Sequence, residues 1–535
     1  MIDIQREHWT FPEFVRRRAE QYGDRLFCRF GDGDTLSFAE FETKTNHLAS
    51  ALADLGVAEG ERVVGMMYNS RAFLLAMVAV HKRGAIFVPI NTELKGAFLE
   101  HQIRNIEPRA VFVGDELRAA FDTISIDGLD IETTISIEGA GAPLPGTRVV
   151  TFADMLATEA RADDLLLPAA NDIGMIMFTS GTTGPSKGVM MPHAHCLLFG
   201  FGAGRAMSMT PEDCMFICMP FFHAMGLLLQ FASCLIYGSS VHVIRRFSAT
   251  SWLDDIRASG ATLTYGLGVI PEFIFRQPET PHDTDHKLRM MLAVPIGEDW
   301  GAAFENRFGL RLIQAYGMTE CNIPTYGKMK DPVMAGCAGY VDDDFFEVRI
   351  VDAETDEEVA TGEIGEIVVR PLQPSCFMQG YFRMPERTVE AWRNLWFHTG
   401  DAGRVDEAGR LFFIDRIKDC IRRRGENISA FEVEQVINGH PDVAESCVIG
   451  VRDSEAGGEE EVKACIVVRG NGPEPTSILD WCVARMPRYA VPRYIEFVAE
   501  LDKTPTGKLR KQDLRDAGLT PETWDRESVG YVVPR

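Results

Sequence analysis

No Cys-x-x-Cys pair occurs in this chain, and its twelve cysteines, among them Cys28, Cys196, Cys447 and Cys482, are scattered. That gives no disulfide framework for a chain of this length, and free thiols in a reducing cytoplasm are expected. An excess of positive charge is also missing. Lys and Arg number 54 against 78 Asp and Glu, a net charge of −24. Nucleic acid and anionic membranes reward clustered cations, so neither is expected as the main partner. A polyanionic ligand must then be met by a local basic patch working against the global field. The first residues, MIDIQREHWTFPEFV, lack the cationic, then apolar, then small-residue order of a secretory leader. No apolar run of membrane length is uninterrupted. Residues 227–244 come nearest, but Gln230, Ser233, Gly238, Ser239, Ser240 and His242 break them, so a buried helix running into a strand is expected. The nearest approach to a metal cluster, His282-Asp283-Thr284-Asp285-His286, follows Pro278 and Pro281 and reads as a solvated polar loop.

What is present is a globular composition, 46% hydrophobic and 25% charged, over 535 residues, which calls for two or more domains. Residues 11–25 and 37–58 carry apolar spacing near the helical period. Val63 to Met67 reads as a short buried strand, Ser70 to Gly84 as a helix and Ala85 to Ile90 as a second strand. This alternation implies βαβ units and a mostly parallel sheet, and it recurs at Ala110 to Val113 and through 213–270. From about residue 345 the pattern alternates apolar and polar, as in Phe346 to Asp352 and Gly365 to Arg370, which predicts exposed antiparallel strands. After Arg416 a smaller α+β unit is expected: helix 430–439, strands 443–451 and 462–468, helix 476–486 and strand 494–498. The boundary is set at Arg416–Lys418, giving domains 1–416 and 417–535.

The most informative segment follows the apolar run Ile173 to Phe178. It combines the hydroxyls of Thr179, Ser180, Thr182 and Thr183, the glycines Gly181, Gly184 and Gly188, and Lys187. A strand ending in such a turn can present backbone N–H groups and hydroxyls around a phosphate, with the lysine as a mobile positive charge. It is not a Walker loop, because Lys187 follows Ser186 rather than a glycine. Three further motifs follow in order. Gln314-Ala315-Tyr316-Gly317-Met318-Thr319-Glu320 comes after an expected strand at Leu310 to Ile313. Trp396-Phe397-His398-Thr399-Gly400-Asp401 precedes Asp415-Arg416-Ile417-Lys418-Asp419. Thr504-Pro505-Thr506-Gly507-Lys508-Leu509-Arg510-Lys511 lies near the C-terminus.

Taken in this order, the four motifs resemble those of the adenylate-forming superfamily of acyl-CoA synthetases, luciferases and peptide-synthetase adenylation domains. The resemblance covers roughly residues 11–515. The C-terminal stretch from Gly425-Glu426-Asn427-Ile428-Ser429 through Leu519-Thr520-Pro521-Glu522-Thr523-Trp524 most resembles the crotonobetaine/carnitine–CoA ligase group. The superfamily resemblance implies a large N-terminal α/β domain of stacked mixed sheets with a small barrel-like subdomain, then a small mobile α+β domain. It also implies a nucleotide site: Thr179 to Gly184 and Lys187 on phosphates, Tyr316 stacked on adenine, Thr319 at the α-phosphate and Glu320 on Mg2+. Asp401 would take the ribose hydroxyls, Arg416 would be a second ribose or phosphate ligand, and Lys418 would be the hinge. Lys508 would offset charge as a carboxylate displaces pyrophosphate. His223 would border an acyl pocket, and Gly425 would let the pantetheine thiol pass. Arg422, Arg423 and Arg424, with Asn427 beyond the glycine, would meet CoA. The chain departs from the family's usual pattern at Leu292 to Gly297 and at Tyr340 to Asp344.

The implied reaction is ATP-dependent ligation of a small-molecule carboxylate to CoA through an acyl-adenylate, with Mg2+ as cofactor. Two alternatives stand beside it: loading of a separate carrier protein, and a nucleotide-binding regulator without catalysis. The chain continues only about two dozen residues past Lys508, which favours free CoA over a fused carrier domain. Lys508, Asp401 and Glu320 are all present, which disfavours a non-catalytic regulator. A homo-oligomer is compatible with the sequence.

Overall fold

The computed structural model describes residues 4–139, 141–179, 186–267, 270–294, 296–297, 300–417, 420–423, 426–452, 460–470, 472–486, 488–503 and 509–533. The side chains at 420, 422, 426, 427, 429, 432, 452 and 489 are outside that description. Two compact units divide the chain: Met1–Glu347 with Val369–Leu395, and Val348–Val368 with Trp396–Arg535.

In the first unit the apolar tetrads and pentads build parallel sheet. Ile86–Pro89, Arg62–Met66, Ala110–Val113, Thr133–Ser136 and Arg148–Thr151 lie side by side in that order, all parallel. Ile173–Thr179 joins this sheet parallel to Ile86–Pro89, and Lys187–Pro192 and then Gly380–Tyr381 extend it antiparallel. A second sheet runs in the order Arg311–Ile313, Met290–Val294, Leu263–Leu267, Cys214–Ile217, Ser240–Val243, Leu26–Phe30 and Thr35–Ser37. Its strands are parallel except for the last hairpin.

Helices cover the sheets and pack on each other. Phe38–Asp54 begins with a capping box in which Glu40 N donates to Ser37 Oγ at 3.1 Å and Ser37 N donates to Glu40 Oε2 at 2.8 Å. Arg71–Lys82 packs on Phe38–Asp54 and on the Arg62–Met66 and Ile86–Pro89 strands. Covered on both sides, it is buried from Ala72 to Lys82, and its sequence is accordingly apolar nearly all round. Residues 225–243 are helical turns over Met225–Phe231 and Ala232–Tyr237 followed by the strand Ser240–Val243, as the broken apolar run predicts. Among the described residues no helix is long and apolar enough to cross a membrane. In the 282–286 segment Asp283 pairs with Arg307 at 2.6 Å and the exposed His282 with Asp285 at 2.7 Å.

The two alternating segments are the neighbouring strands Phe346–Val351 and Gly365–Pro371, but Glu366 to Val369 are buried rather than exposed, because the strand Trp396–Val405 lies beside them and pairs antiparallel with Leu411–Arg416. Beyond them Cys420–Arg423 pairs with Glu426–Ser429. A four-stranded sheet follows, ordered Val443–Arg452, Glu460–Val468, Tyr494–Phe497 and Trp524–Asp525. The helices Ala430–Asn438 and Pro475–Val483 cover one face, closing a core of Val433, Ile437, Val448, Val462, Ile466, Ile478 and Leu479. These elements match the α+β order expected from periodicity, with ends shifted by a few residues.

Candidate active site

The strand that carries the glycine-rich motif ends at Thr179, and the next begins at Lys187. The two residues face each other in the antiparallel register of this hairpin. Directly opposed residues share a face of the sheet. The neighbouring strand repeats the geometry, because Tyr381 opposes Val189 and Val189 is two residues along from Lys187. Successive side chains alternate in a strand, so Thr179, Lys187 and Tyr381 stand on one face of the sheet across three strands, Tyr381 diagonal to Lys187. The Lys187 ammonium lies 4.1 Å from the centre of the Tyr381 ring, within cation–π range. Ser180, Gly181, Thr182, Thr183 and Gly184, which join the two strands, lie outside the described residues.

Glu320 reaches Thr179 and Tyr381 from another hairpin. The Tyr-Gly-Met-Thr-Glu motif lies on the strand Ala315–Met318 and in the turn to Asn322–Tyr326, so it is a β-hairpin rather than a strand-to-helix junction. Gly317 is required there: a Cβ would lie 2.1 Å from Asn322 O. Tyr316 is buried in the strand opposite Thr325. The Glu320 carboxylate is buried, and its Oε1 accepts from Tyr381 Oη at 3.1 Å and from Thr179 Oγ1 at 3.3 Å. The main chain of the turn is held too. Met378 N donates to Glu320 O at 3.1 Å, and His195 Nε2 lies 2.9 Å from Thr319 O. His195 is completely buried, and Asn322 Nδ2 lies 3.2 Å from its Nδ1. Burial pushes the His195 imidazole down to about 4, against the opposing pull of the Thr319 and Cys376 carbonyls. Tyr381, His195 and Asn322 were not anticipated from sequence. Tyr381 sits on a two-residue strand with no periodicity to read, and His195 is 124 residues from its partner.

His223 stands at the entrance of the π-helical turns Met225–Phe231, tilted against Phe222 with ring centres 4.5 Å apart. A π-helical stretch is uncommon and concentrates at functional sites. Gly226 sits where a Cβ would lie 2.5 Å from both Met219 O and Pro220 O. Asn69 clamps the approach, accepting from Phe221 N at 2.8 Å and donating to Met219 O at 2.9 Å.

In the second unit Asp401 and Arg416 are register partners, and Arg416 Nε lies 2.8 Å from Asp401 Oδ1. Asp401 is buried, while Arg416 is partly exposed. The Thr-Gly-Asp turn is fixed from below: Thr399 Oγ1 donates to Ile367 O at 2.6 Å, and Gly400 N to Glu366 Oε1 at 3.0 Å. Glu366 also holds His398 Nδ1 at 2.8 Å. Arg423 corrects one expectation. Its guanidinium is buried against Glu461, Nε to Oε2 2.7 Å, so it is a core ion pair and not part of a basic face for CoA. Arg422 opposes Asn427 in the short hairpin, but the side chains of both are outside the described set. Lys418, Arg424, Gly425 and Lys508 lie outside the described residues altogether.

The two strands that flank the glycine-rich segment thus lie beside a buried, hydroxyl-held carboxylate on an α/β scaffold, and comparison with known proteins gives the class. Residues 15–382 match the family model of the AMP-binding enzymes, and residues 432–508 match that of the AMP-binding enzyme C-terminal domain. The chain belongs to the AMP-binding enzyme family. It is 29% identical to crotonobetaine/carnitine–CoA ligase of Salmonella typhi over 93% of this chain and 97% of that protein. Among solved structures it is similar to ATP-bound MatB from Rhodopseudomonas palustris, with a TM-score of 0.82 and 27% identity over 95% of this chain and 98% of that one. It is also similar to the anthranilate–CoA ligase AuaEII in complex with anthranoyl-AMP, with a TM-score of 0.83 and 25% identity over 96% and 98% of the two chains.

Proposed function

We propose that this protein is an ATP-dependent carboxylic acid–CoA ligase that works through an acyl-adenylate. The observation that carries the reading is the meeting of Thr179, Lys187 and Glu320 around Tyr381. It joins the first two sequence motifs around one side chain. Similarity along nearly the whole chain to a named CoA ligase and to ATP- and acyl-AMP-bound structures supports the same reading.

In the first half-reaction a carboxylate oxygen attacks the α-phosphorus of ATP, and the bond to pyrophosphate breaks. Lys187 and the hydroxyls and N–H groups of residues 179–184 bind the phosphates, with Thr179 directly across the strand pair from Lys187. Thr319 is assigned to the α-phosphate, Tyr316 to adenine, and Asp401 with Arg416 to the ribose. Glu320 fits a Mg2+ ligand, since it offers a buried carboxylate in a setting of oxygen donors. Bound there, Mg2+ would neutralise charge on the phosphates. Lys508 would supply a second cation as charge develops on the leaving pyrophosphate. In the second half-reaction the CoA sulfur attacks the acyl carbon, the bond to AMP breaks and the thiol proton is lost. Residues 417–535 are proposed to move for this step, pivoting at Lys418 and bringing Gly425, Asn427, Arg422 and Arg424 to CoA. His223 is assigned to the border of the acyl pocket. A cytoplasmic location is proposed from the scattered cysteine pattern of the sequence.

A carboxylate panel assayed for pyrophosphate release and for thioester formation tests this. Release of pyrophosphate with thioester formed on free CoA is the expected result. Pyrophosphate without thioester would favour carrier-protein loading, and neither product would leave a nucleotide-binding regulator.

A further inference from the structure

Tyr381 touches both charged groups of the nucleotide site, from the segment whose Met378 N also holds Glu320 O. Its Oη donates to Glu320 Oε1 at 3.1 Å, and its ring carries the Lys187 ammonium at 4.1 Å. Tyr381 is 4% exposed, so neither contact is a solvent-facing accident. Its backbone is pinned on both sides. Gln379 N donates to Met190 O at 2.9 Å, Phe382 N donates to Gly188 O at 2.8 Å, and Tyr381 N donates to Thr388 Oγ1 at 2.9 Å. Gly380 has φ +138, and a Cβ there would lie 2.9 Å from Thr388 Cγ2, so the strand lies close against the Pro385–Ala391 helix.

We infer that Tyr381 is a positioning residue for adenylate formation, setting the Mg2+-binding carboxylate and the phosphate-binding lysine at a fixed separation before ATP arrives. This role rests on the ligase reading above. Two unlike charges attract strongly where water is excluded, as around the buried Glu320 and Tyr381, and their direct pairing would withdraw both from phosphate and metal. A phenol avoids this because it presents different faces to the two. The hydroxyl satisfies the anion at Oε1, leaving Oε2 for the metal, while the ring face attracts the cation without neutralising it. Thr179 Oγ1 lies on the same Oε1 at 3.3 Å, which fixes the carboxylate from a second direction.

The two contacts are separable by substitution. Tyr381→Phe removes the hydroxyl and keeps the ring; Tyr381→Leu removes both. With the full-length protein, ATP–pyrophosphate exchange is followed against Mg2+ and against ATP, and thioester formation is followed from supplied acyl-AMP. Tyr381→Phe is expected to raise the Mg2+ needed for half-maximal exchange about tenfold, the loss associated with one hydrogen bond to a charged group. Its ATP KM at saturating Mg2+ and its thioester half-reaction should stay near the parent values. Tyr381→Leu should add a severalfold rise in the KM for ATP, since Lys187 loses its seat. A Mg2+ curve for Tyr381→Phe that superimposes on the parent's overturns the role, and so does equal loss in both half-reactions. If Tyr381→Leu does not fold, the Phe variant alone decides. A parent protein that shows no exchange with any carboxylate overturns the ligase reading, and this role with it.

Discussion

The imidazole of His195 holds the main-chain oxygen of Thr319 through Nε2 at 2.9 Å, from 124 residues away. Asn322, two residues past the Glu320 carboxylate, approaches Nδ1 at 3.2 Å and donates to His195 O at 2.9 Å. This pattern uses Nε2 as donor and Nδ1 as acceptor, which only the neutral ring can do. Asn322 itself has φ +70, a conformation that asparagine tolerates better than most residues. The turn bearing Thr319 and Glu320 is therefore gripped from behind by a group that must stay uncharged.

Acid should loosen this grip with a defined sign. Burial lowers His195 to about 4 in the folded protein, against about 6.5 in an unfolded chain. The unfolded state then binds the extra proton first, so the contribution is fully present above about pH 6.5 and is lost as pH falls toward 4. The slope is about 1.4 kcal/mol per pH unit for one histidine. In urea unfolding at pH 7 and pH 5, His195→Gln should lose about 2 kcal/mol less stability over that interval than the parent. Parallel pH dependences for the two proteins would contradict the neutral-ring assignment.

Separate assay of the half-reactions should divide the C-terminal residues by role. Lys508→Ala is expected to reduce adenylate formation by about 10²–10³, the typical loss on removing one positioned cationic group. Thioester formation from supplied acyl-AMP should be largely spared. Gly425→Leu should do the reverse by crowding the path of the pantetheine arm. Equal loss of both half-reactions in each variant would remove these assignments.

Neighbouring arginines should behave in opposite ways. Arg423 is paired with Glu461 in the core at 2.7 Å. Arg423→Met should therefore lower stability by about 3–5 kcal/mol, the cost of leaving a buried charge unpaired, without a specific effect on CoA affinity. Neutralising Arg422 and Arg424 together should raise the KM for CoA severalfold, and added salt should weaken CoA binding more in the parent than in this variant. Thermal unfolding and steady-state kinetics at two ionic strengths check both. An unchanged CoA KM in the double variant would return Arg422 and Arg424 to solvated surface.

Much of this protein was legible before any coordinates. The strand leading into the glycine-rich segment, the Tyr-Gly-Met-Thr-Glu turn and the βαβ alternation are written in short stretches, because strand period and turn glycines act over a few residues. Asp401 and Arg416 were each singled out by their motifs, but that they face each other as an ion pair came from the hairpin register of the structure. Even the burial of Arg423 had a local signal: it shares strand parity with Ile421, which is buried. What the tertiary structure decided is which distant side chains complete the site. Tyr381 lies 61 residues beyond Glu320, on a strand of two residues whose pairing depends on a sheet edge formed by Lys187–Pro192. His195 looks like one more apolar-helix residue until packing buries it behind Thr319. Local chemistry sets turns and strands, but contacts between strands and helices far apart in sequence exist only once the sheets have packed.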